Sequence, residues 1–239
     1  MSQHILDQSI RAIAQAVRGG EISFEELMSE AVVRHERYDD TLKAYKHFDG
    51  DGAKDSARAA DALLAQGHDV GPLMGMPISV KDIFGVTGMP TWGGTNKEMD
   101  IQWATDGPMM QALRRYMAIP TGKTHTIEFA FGAVGTSYHY GAPRNPWDAE
   151  NHRVSGGSSV GAGISLAEGS SLMALGTDTG GSVRIPAAVT GSVGLKVTID
   201  RWSTDGIVPL APVSIRRASL PVPSKTLSSA LAPLIPNMT

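Results

Sequence analysis

Cysteine is absent from this sequence, so disulfides, thiolate nucleophiles and cysteine-ligated metal sites are excluded before any motif is read. That absence does not by itself fix a redox compartment. The amino terminus, MSQHILDQSIRAIAQAVRGG, lacks a basic segment followed by an apolar run, and nowhere do eighteen apolar residues stand in succession. Neither export nor a membrane span is expected, which leaves a cytoplasmic protein as the default. Excess positive charge is also missing. The formal net charge is −3 and the basic residues are scattered, so a nucleic-acid partner is not supported and a small, nearly neutral solute is the more natural one.

What is present is enough apolar material for one large core or two modest ones: 239 residues, 41% hydrophobic and 19% charged. No charged run or Pro/Ser-rich stretch divides the chain before about residue 211, which favours one domain. Apolar residues at helical spacing predict a helix over 5–18, stopped by Gly19-Gly20. Ser23 and Glu26 form a capping-box pattern for a second helix from Phe24 to about Tyr38. A third is expected over 53–66, with Ala57, Ala60, Leu63 and Leu64 on one side. A short apolar strand is expected in LMGMPISVKDIFGV, with Lys81 at its carboxyl end, and further strands at 118–121 and 172–179; a helix is expected at 109–116, another helix or turn beginning in SVRIPAAVTG, and an irregular loop at 139–148. The segment SGGSSVGAGISLAEG at 155–169 reads as small residues opening an amphipathic helix. Alternating helices and apolar strands indicate an α/β fold, with sites expected where strands end and helices begin.

Three segments combine small residues with groups that are costly to bury. PISVKD at 77–82 sets Lys81 against an apolar strand. Desolvation there lowers the amine from its ordinary value of about 10.4 towards neutrality, where it can act as a base; a lysine that snorkels to the surface is the plainer reading. SGGSSVGAG at 155–163 offers Ser158 and Ser159 for proton relay, but a flexible linker, a phosphate-cradling loop or a weak G-x-S-x-G elbow reads equally well. In GTDTGGSVRIPA at 176–187 a buried strand runs into Gly180-Gly181-Ser182. Successive N–H groups of such a turn can meet a developing oxyanion beside a serine nucleophile, although a turn with a serine helix cap is commoner.

The order of the three segments changes these odds. A V-K-D lysine, then GGSS, then D-T-G-G-S, with Ser158 and Ser182 separated by 24 residues, resembles the amidase signature family of serine hydrolases. The likeness continues through GPLMGMPISVKDIFGVTGMPTWGGT, TGKTHTIEFAFGAVGTSYHYGAPRNPWD and GLKVTIDRWSTDGIVPLAP, covering about residues 5–212. It implies the amidase signature fold, a mixed central sheet flanked by helices, and hydrolysis of a carboxamide C–N bond through an acyl-enzyme. By that resemblance Ser182 is the nucleophile, Ser158 a bridging serine on a cis peptide after Gly157, and Lys81 the neutral base. The backbone N–H groups of Thr179, Gly180, Gly181 and Ser182 would form the oxyanion hole. No cofactor and no metal are required. The same family includes the subunit that supplies ammonia for tRNA-dependent amidation, which works with partner subunits.

Other groups have weaker claims. His125, His139 and His152 stand in no local pattern that pairs them with a serine. Asp178 and Arg184 flank the turn and could brace it, with substrate contact by Arg184 as the lesser reading. Trp92, Phe129, Phe131 and Tyr138 are candidates for an acyl pocket, though aromatic residues are more often core. A phosphate-binding role for 155–163 lacks the lysine that a P-loop places after its glycines.

The chain departs from the family at Ser155, where proline is frequent, at Val160, where glycine or serine is usual, and at His125, where asparagine is common. The larger departure follows residue 212. Family members continue with a segment such as SLDTPG, whereas this chain reads VSIRRASLPVPSKTLSSALAPLIPNMT. Loss of one nucleotide from codons for Pro-Ser-Leu-Asp yields Pro-Val-Ser-Ile, the residues at 212–215, and later codons regroup in the same way. The expectation is therefore an amidase signature part over 1–212 and a frameshifted, poorly ordered tail over 213–239. Lost sheet and pocket walls would leave apolar surface open to self-association, and a non-catalytic remnant is the competing reading. Sequencing the DNA downstream of codon 212 tests this: codons that regroup into a family-like frame are expected, and codons that do not regroup eliminate the frameshift.

Overall fold

A computed structural model describes residues 5–148, 150–210 and 218–222, the last five by their backbone alone. Capping chemistry sets the early helices. Ser9 is extended and its Oγ accepts the Ala12 N–H at 3.2 Å, so the stretch expected as one helix divides into a 3-10 turn, Ile5–Asp7, and α1, Ile10–Arg18. Ser23 and Glu26 exchange reciprocal bonds of 3.0 and 2.8 Å at the start of α2, Phe24–Leu42. This helix runs beyond Tyr38 until Lys43, at φ 55°, returns its N–H to Asp39 O. Asp49 accepts the Gly52 N–H at 3.0 Å and so starts α3, Gly50–Ala65, earlier than its apolar stripe suggests. Its buried face is Ala53, Ala57 and Ala60.

The remaining helices are α4, Pro108–Arg115, α5, Val160–Glu168, and α6, Arg184–Thr190. The strands are β1, Tyr45–Phe48, β2, Pro77–Lys81, β3, Ile119–Thr124, β4, Met173–Thr177, β5, Val193–Lys196, and β6, Ala218–Val222. They form a mixed sheet in the order β1-β3-β2-β4-β6-β5. Its centre is parallel: β2 pairs with β3 on one side and β4 on the other. All residues of these three strands are buried, the polar Ser79, Lys81, Thr121, Lys123 and Thr124 among them, so their strand ends carry enclosed polar groups. Parallel alignment brings the carboxyl ends of β2 and β4 to the same edge of the sheet, and with them Lys81 and Thr177.

Three strands were not legible. β1 alternates poorly because Lys46 and His47 stand within it, and its partner β3 supplies the register. β5 is half-buried and short. β6 lies inside the stretch expected to hold no regular structure; it pairs antiparallel with both β4 and β5. Backbone pairing with available strand edges requires no side-chain periodicity, so such a strand leaves no mark in the hydrophobic pattern. The remaining residues of the expected tail, 213–217 and 223–239, lie outside those described.

The amphipathic reading of α5 needs correction. Every residue from Val160 to Leu166 is buried, as is Glu168, because the helix is enclosed by α2 and α6 and packs on β2, β3 and β4. A helix covered on all sides needs small residues rather than an apolar stripe. Among the described residues no helix is long and apolar enough to cross a membrane.

Gly161 shows how closely α5 approaches the sheet. Its N–H donates to His125 O at 2.9 Å, and a Cβ there would meet the Ala44 carbonyl oxygen, the His125 nitrogen at 2.7 Å and Thr124 Cβ at 2.8 Å. Glycine to alanine inside a helix ordinarily gains about 1 kcal/mol. Here Gly161→Ala is expected to lose about 2 kcal/mol through overpacking against backbone, read as a lowered urea midpoint. A gain would show that the helix does not approach the strand ends this closely.

Candidate active site

β2 delivers Lys81 fully buried at its carboxyl end. An ammonium without water is unfavourable, and burial pulls Lys81 down to about 7, against the opposing pull of the Asp178 carboxylate. The amine is not orphaned. Nζ donates to Ser158 Oγ at 2.7 Å and to Thr177 Oγ1 at 2.9 Å. Thr177, the last residue of β4, was not singled out from the sequence; its place at a strand end beside Asp178 was the available signal.

Ser158 is also fully buried and follows a cis peptide from Gly157. Its carbonyl accepts the Ile127 N–H at 3.2 Å and the Thr126 hydroxyl at 3.1 Å, which fixes the GGSS segment against the loop after β3. The neighbouring Ser159 N–H donates to Ser182 O at 3.1 Å. Two stretches far apart in sequence are thereby joined backbone to backbone, and Ser182 is half-buried where Lys81 and Ser158 are enclosed.

Asp178 organises the turn that presents Ser182. Its Oδ1 accepts the Gly181 N–H at 2.8 Å, and its Oδ2 accepts the N–H groups of Val183 and Arg184, both at 3.2 Å. The Arg184 guanidinium adds a bidentate pair, Nε to Oδ2 and Nη2 to Oδ1, each at 2.9 Å. Burial works to raise the Asp178 carboxyl, but Arg184 and the three backbone donors outweigh it and hold the group at about 2. Bracing by Asp178 and Arg184 is thus the arrangement observed. It also narrows the expected oxyanion hole. The Gly181 N–H is committed to Asp178, because a buried carboxylate at a turn recruits the nearest donors, and that takes one member out of the expected set.

A second buried cation lies one strand away. Lys123 is completely buried and its Nζ reaches Asp82 Oδ1 at 3.1 Å, Thr91 Oγ1 at 2.6 Å and Pro90 O at 3.2 Å. Asp82 in turn accepts the Trp92 N–H at 3.1 Å, and its carbonyl accepts the Gly93 N–H at 3.0 Å. This pair clamps the 90–94 loop onto the ends of β2 and β3. Lys123 was not singled out from the sequence, although it stands near the carboxyl end of a buried strand, as Lys81 does.

The aromatic candidates divide. Phe129, Phe131 and Tyr138 line an open cavity of about 670 Å³ together with Ile127, Glu128 and Leu210. Ile127 belongs both to this wall and to the contact with Ser158. Trp92 instead packs under Lys46, whose Nζ lies 4.8 Å from its ring and 4.0 Å from that of Tyr140. None of the three candidate histidines is engaged as a base. His125 is pushed down to about 4 by burial and the nearby Lys46 and Lys43, and it packs on Tyr140. His139 faces Glu128 at 3.7 Å, and His152 is exposed. Among the described residues no group of three His, Asp or Glu side chains is placed to hold a metal ion.

Comparisons with known proteins bear on this geometry. The profile of the Amidase family matches residues 26–218. A 2-amino-5-chloromuconic acid deaminase of Comamonas testosteroni is 50% identical over 203 residues, covering 85% of this chain and 44% of that protein. A glutamyl-tRNA(Gln) amidotransferase subunit from Acidothermus cellulolyticus is 40% identical over 196 residues, 82% of this chain and 38% of its own length. Among solved structures, an amidase family protein from Bacillus anthracis superposes with a TM-score of 0.85 at 28% identity, covering 98% of this chain and 47% of that one. The chain therefore spans less than half the length of these relatives.

The clamp on the 90–94 loop yields a stability expectation. Lys123→Met would leave Asp82 buried without its cation and should cost about 3–5 kcal/mol, seen as a lowered thermal midpoint. Adding Asp82→Asn should recover a large part of that loss in a double-mutant cycle. Equal stabilities for wild type and Lys123→Met would remove the clamp from the account.

Proposed function

The chain belongs to the amidase family, and from that premise we propose that its site hydrolyses the C–N bond of a small carboxamide by way of an acyl-enzyme. One observation carries the reading: a fully buried lysine amine donates at 2.7 Å to a buried serine hydroxyl, in a segment bonded directly to the backbone of Ser182.

The chemistry proceeds from the protonation state that burial favours. With Lys81 held at about 7, a large share of the amine is neutral near physiological pH and able to take a proton. Ser158 Oγ passes that proton from Ser182 Oγ to Lys81 Nζ as Ser182 attacks the amide carbon. The oxyanion that forms is met by N–H donors of the 179–182 turn. As the tetrahedral intermediate collapses, Ser158 hands a proton to the departing nitrogen, ammonia or an amine leaves, and Ser182 retains the acyl group. Water, activated along the same path, releases the carboxylate and restores the hydroxyl. No redox step and no external electron carrier enter this sequence.

The cavity beside Phe129, Phe131 and Tyr138 supports an acyl group with apolar character. Its wall is shared with Ser158 through Ile127, so an amide carbonyl at Ser182 would direct its acyl substituent along this surface.

Ammonia release from a panel of simple amides tests the proposal. Ser182→Ala is expected to lower kcat/KM by about four orders of magnitude, and Lys81→Met by a comparable amount. The lysine acts as a base only when uncharged, so kcat/KM should rise with pH through about 7, where the neutral fraction of Lys81 changes. A folded sample without hydrolysis of any amide would favour a non-catalytic remnant, and activity surviving Ser182→Ala would place the nucleophile elsewhere.

A further inference from the structure

We propose that Arg184 acts as a positioning residue of an electrostatic kind: by ion-pairing with Asp178 it lets the carboxylate brace the Ser182 turn without fixing a proton on Lys81. The proposal rests on the hydrolase reading only for its kinetic consequence; the effect on Lys81 itself does not require turnover.

The turn creates a conflict. Three backbone N–H groups between Gly181 and Arg184 need a strong common acceptor, and Asp178 supplies it. A carboxylate is the best acceptor for that task. Yet Asp178 follows Thr177, whose Oγ1 is 2.9 Å from Lys81 Nζ, and its negative charge favours the ammonium form of that lysine. The same group that shapes the nucleophile turn therefore opposes the neutral base. Arg184 answers both requirements: two parallel bonds of 2.9 Å fix the carboxylate, and its positive charge offsets the field that reaches Lys81.

The other elements around Lys81 offer no substitute. From the segment leading into α5 it meets the hydroxyl of Ser158, and from β4 that of Thr177. From β3, Lys123 is already matched by Asp82. His125, just beyond β3, is held neutral near pH 7 by burial. Glu168 stands at the far end of α5, hydrogen-bonded to Ser170 and His35. Asp178 is thus the carboxylate that acts on Lys81, and Arg184 is its counter-ion. Its position allows this: the Asp178 side chain is fully buried, while that of Arg184 is 53% exposed. The cation reaches in from the rim, keeps much of its hydration, and avoids the cost of burying a third full charge in the site. Solvent at the rim screens its field, so the effect on Lys81 is moderate rather than large.

The experiment follows the Lys81 ε-carbon by NMR titration in protein labelled with 13C-lysine, with Lys81→Arg assigning the resonance, alongside pH profiles of kcat/KM. Arg184→Gln should raise the Lys81 midpoint by about half to one pH unit, a roughly three- to tenfold gain in proton affinity, and move the rising limb of kcat/KM to higher pH by the same amount. Arg184→Lys, which keeps the charge but loses the fork, should hold the midpoint close to wild type. Asp178→Asn should shift it downward, the opposite direction. An unmoved midpoint in folded Arg184→Gln overturns the proposal, and a changed KM at an unchanged midpoint would instead make Arg184 a substrate contact. Should Arg184→Gln fail to fold, Asp178→Asn decides: no downward shift overturns the proposal as well. If the midpoints move as stated but no amide is hydrolysed, the electrostatic role stands and the hydrolase reading falls.

Discussion

The structure turns on an amine taken out of water at the end of a central strand. A lysine at the carboxyl end of β2 has no route to solvent, because β3, β4 and α5 close around it. Its proton affinity falls, and its donors must be satisfied by hydroxyls instead of water. Ser158 and Thr177 do so. The requirement explains why so many small residues surround this point. Glycines let α5 and the turn after β4 come close enough for hydroxyls on short side chains to reach Nζ, and larger residues would hold them apart.

Burying one potential charge obliges the surroundings to balance the rest. Both buried carboxylates near the site have a cationic partner: Asp82 with Lys123, Asp178 with Arg184. The two pairs perform mechanical work of different kinds. The first ties the 90–94 loop to the sheet, and the second shapes the turn that presents Ser182. Lys81 is hydrogen-bonded to two hydroxyls where Lys123 meets a carboxylate, and that difference separates two lysines of the same burial in neighbouring strands. A lysine paired with a carboxylate is a strut, whereas one matched only by hydroxyls fits the base role proposed for Lys81.

Legibility in the sequence varied with the range of the interactions involved. Capping at Ser23 and Glu26, the glycine stops and the short central strands β2, β3 and β4 are local, and they were readable to within a few residues. β1, β5 and β6 were not, because edge and antiparallel strands of four or five residues depend on partners that only the folded chain supplies. α5 was misjudged for a related reason: the burial of all its residues but Ala167 comes from α2, α6 and the central strands, which converge on it from distant parts of the sequence.

The site divides along the same line. The sequence by itself determined which residue types are available and in what order, Lys81, then Ser158, then Ser182, together with the glycines that make a tight turn possible and the absence of thiols. Tertiary structure alone decided that the amine of Lys81 is dry, that it touches Ser158 and Thr177, that the Gly181 N–H is spent on Asp178, and that Lys123 is neutralised where Lys81 is not. The reason is physical. Proton affinity and hydrogen-bond commitment depend on which groups lie within a few ångströms, and here those groups come from segments separated by tens of residues along the chain.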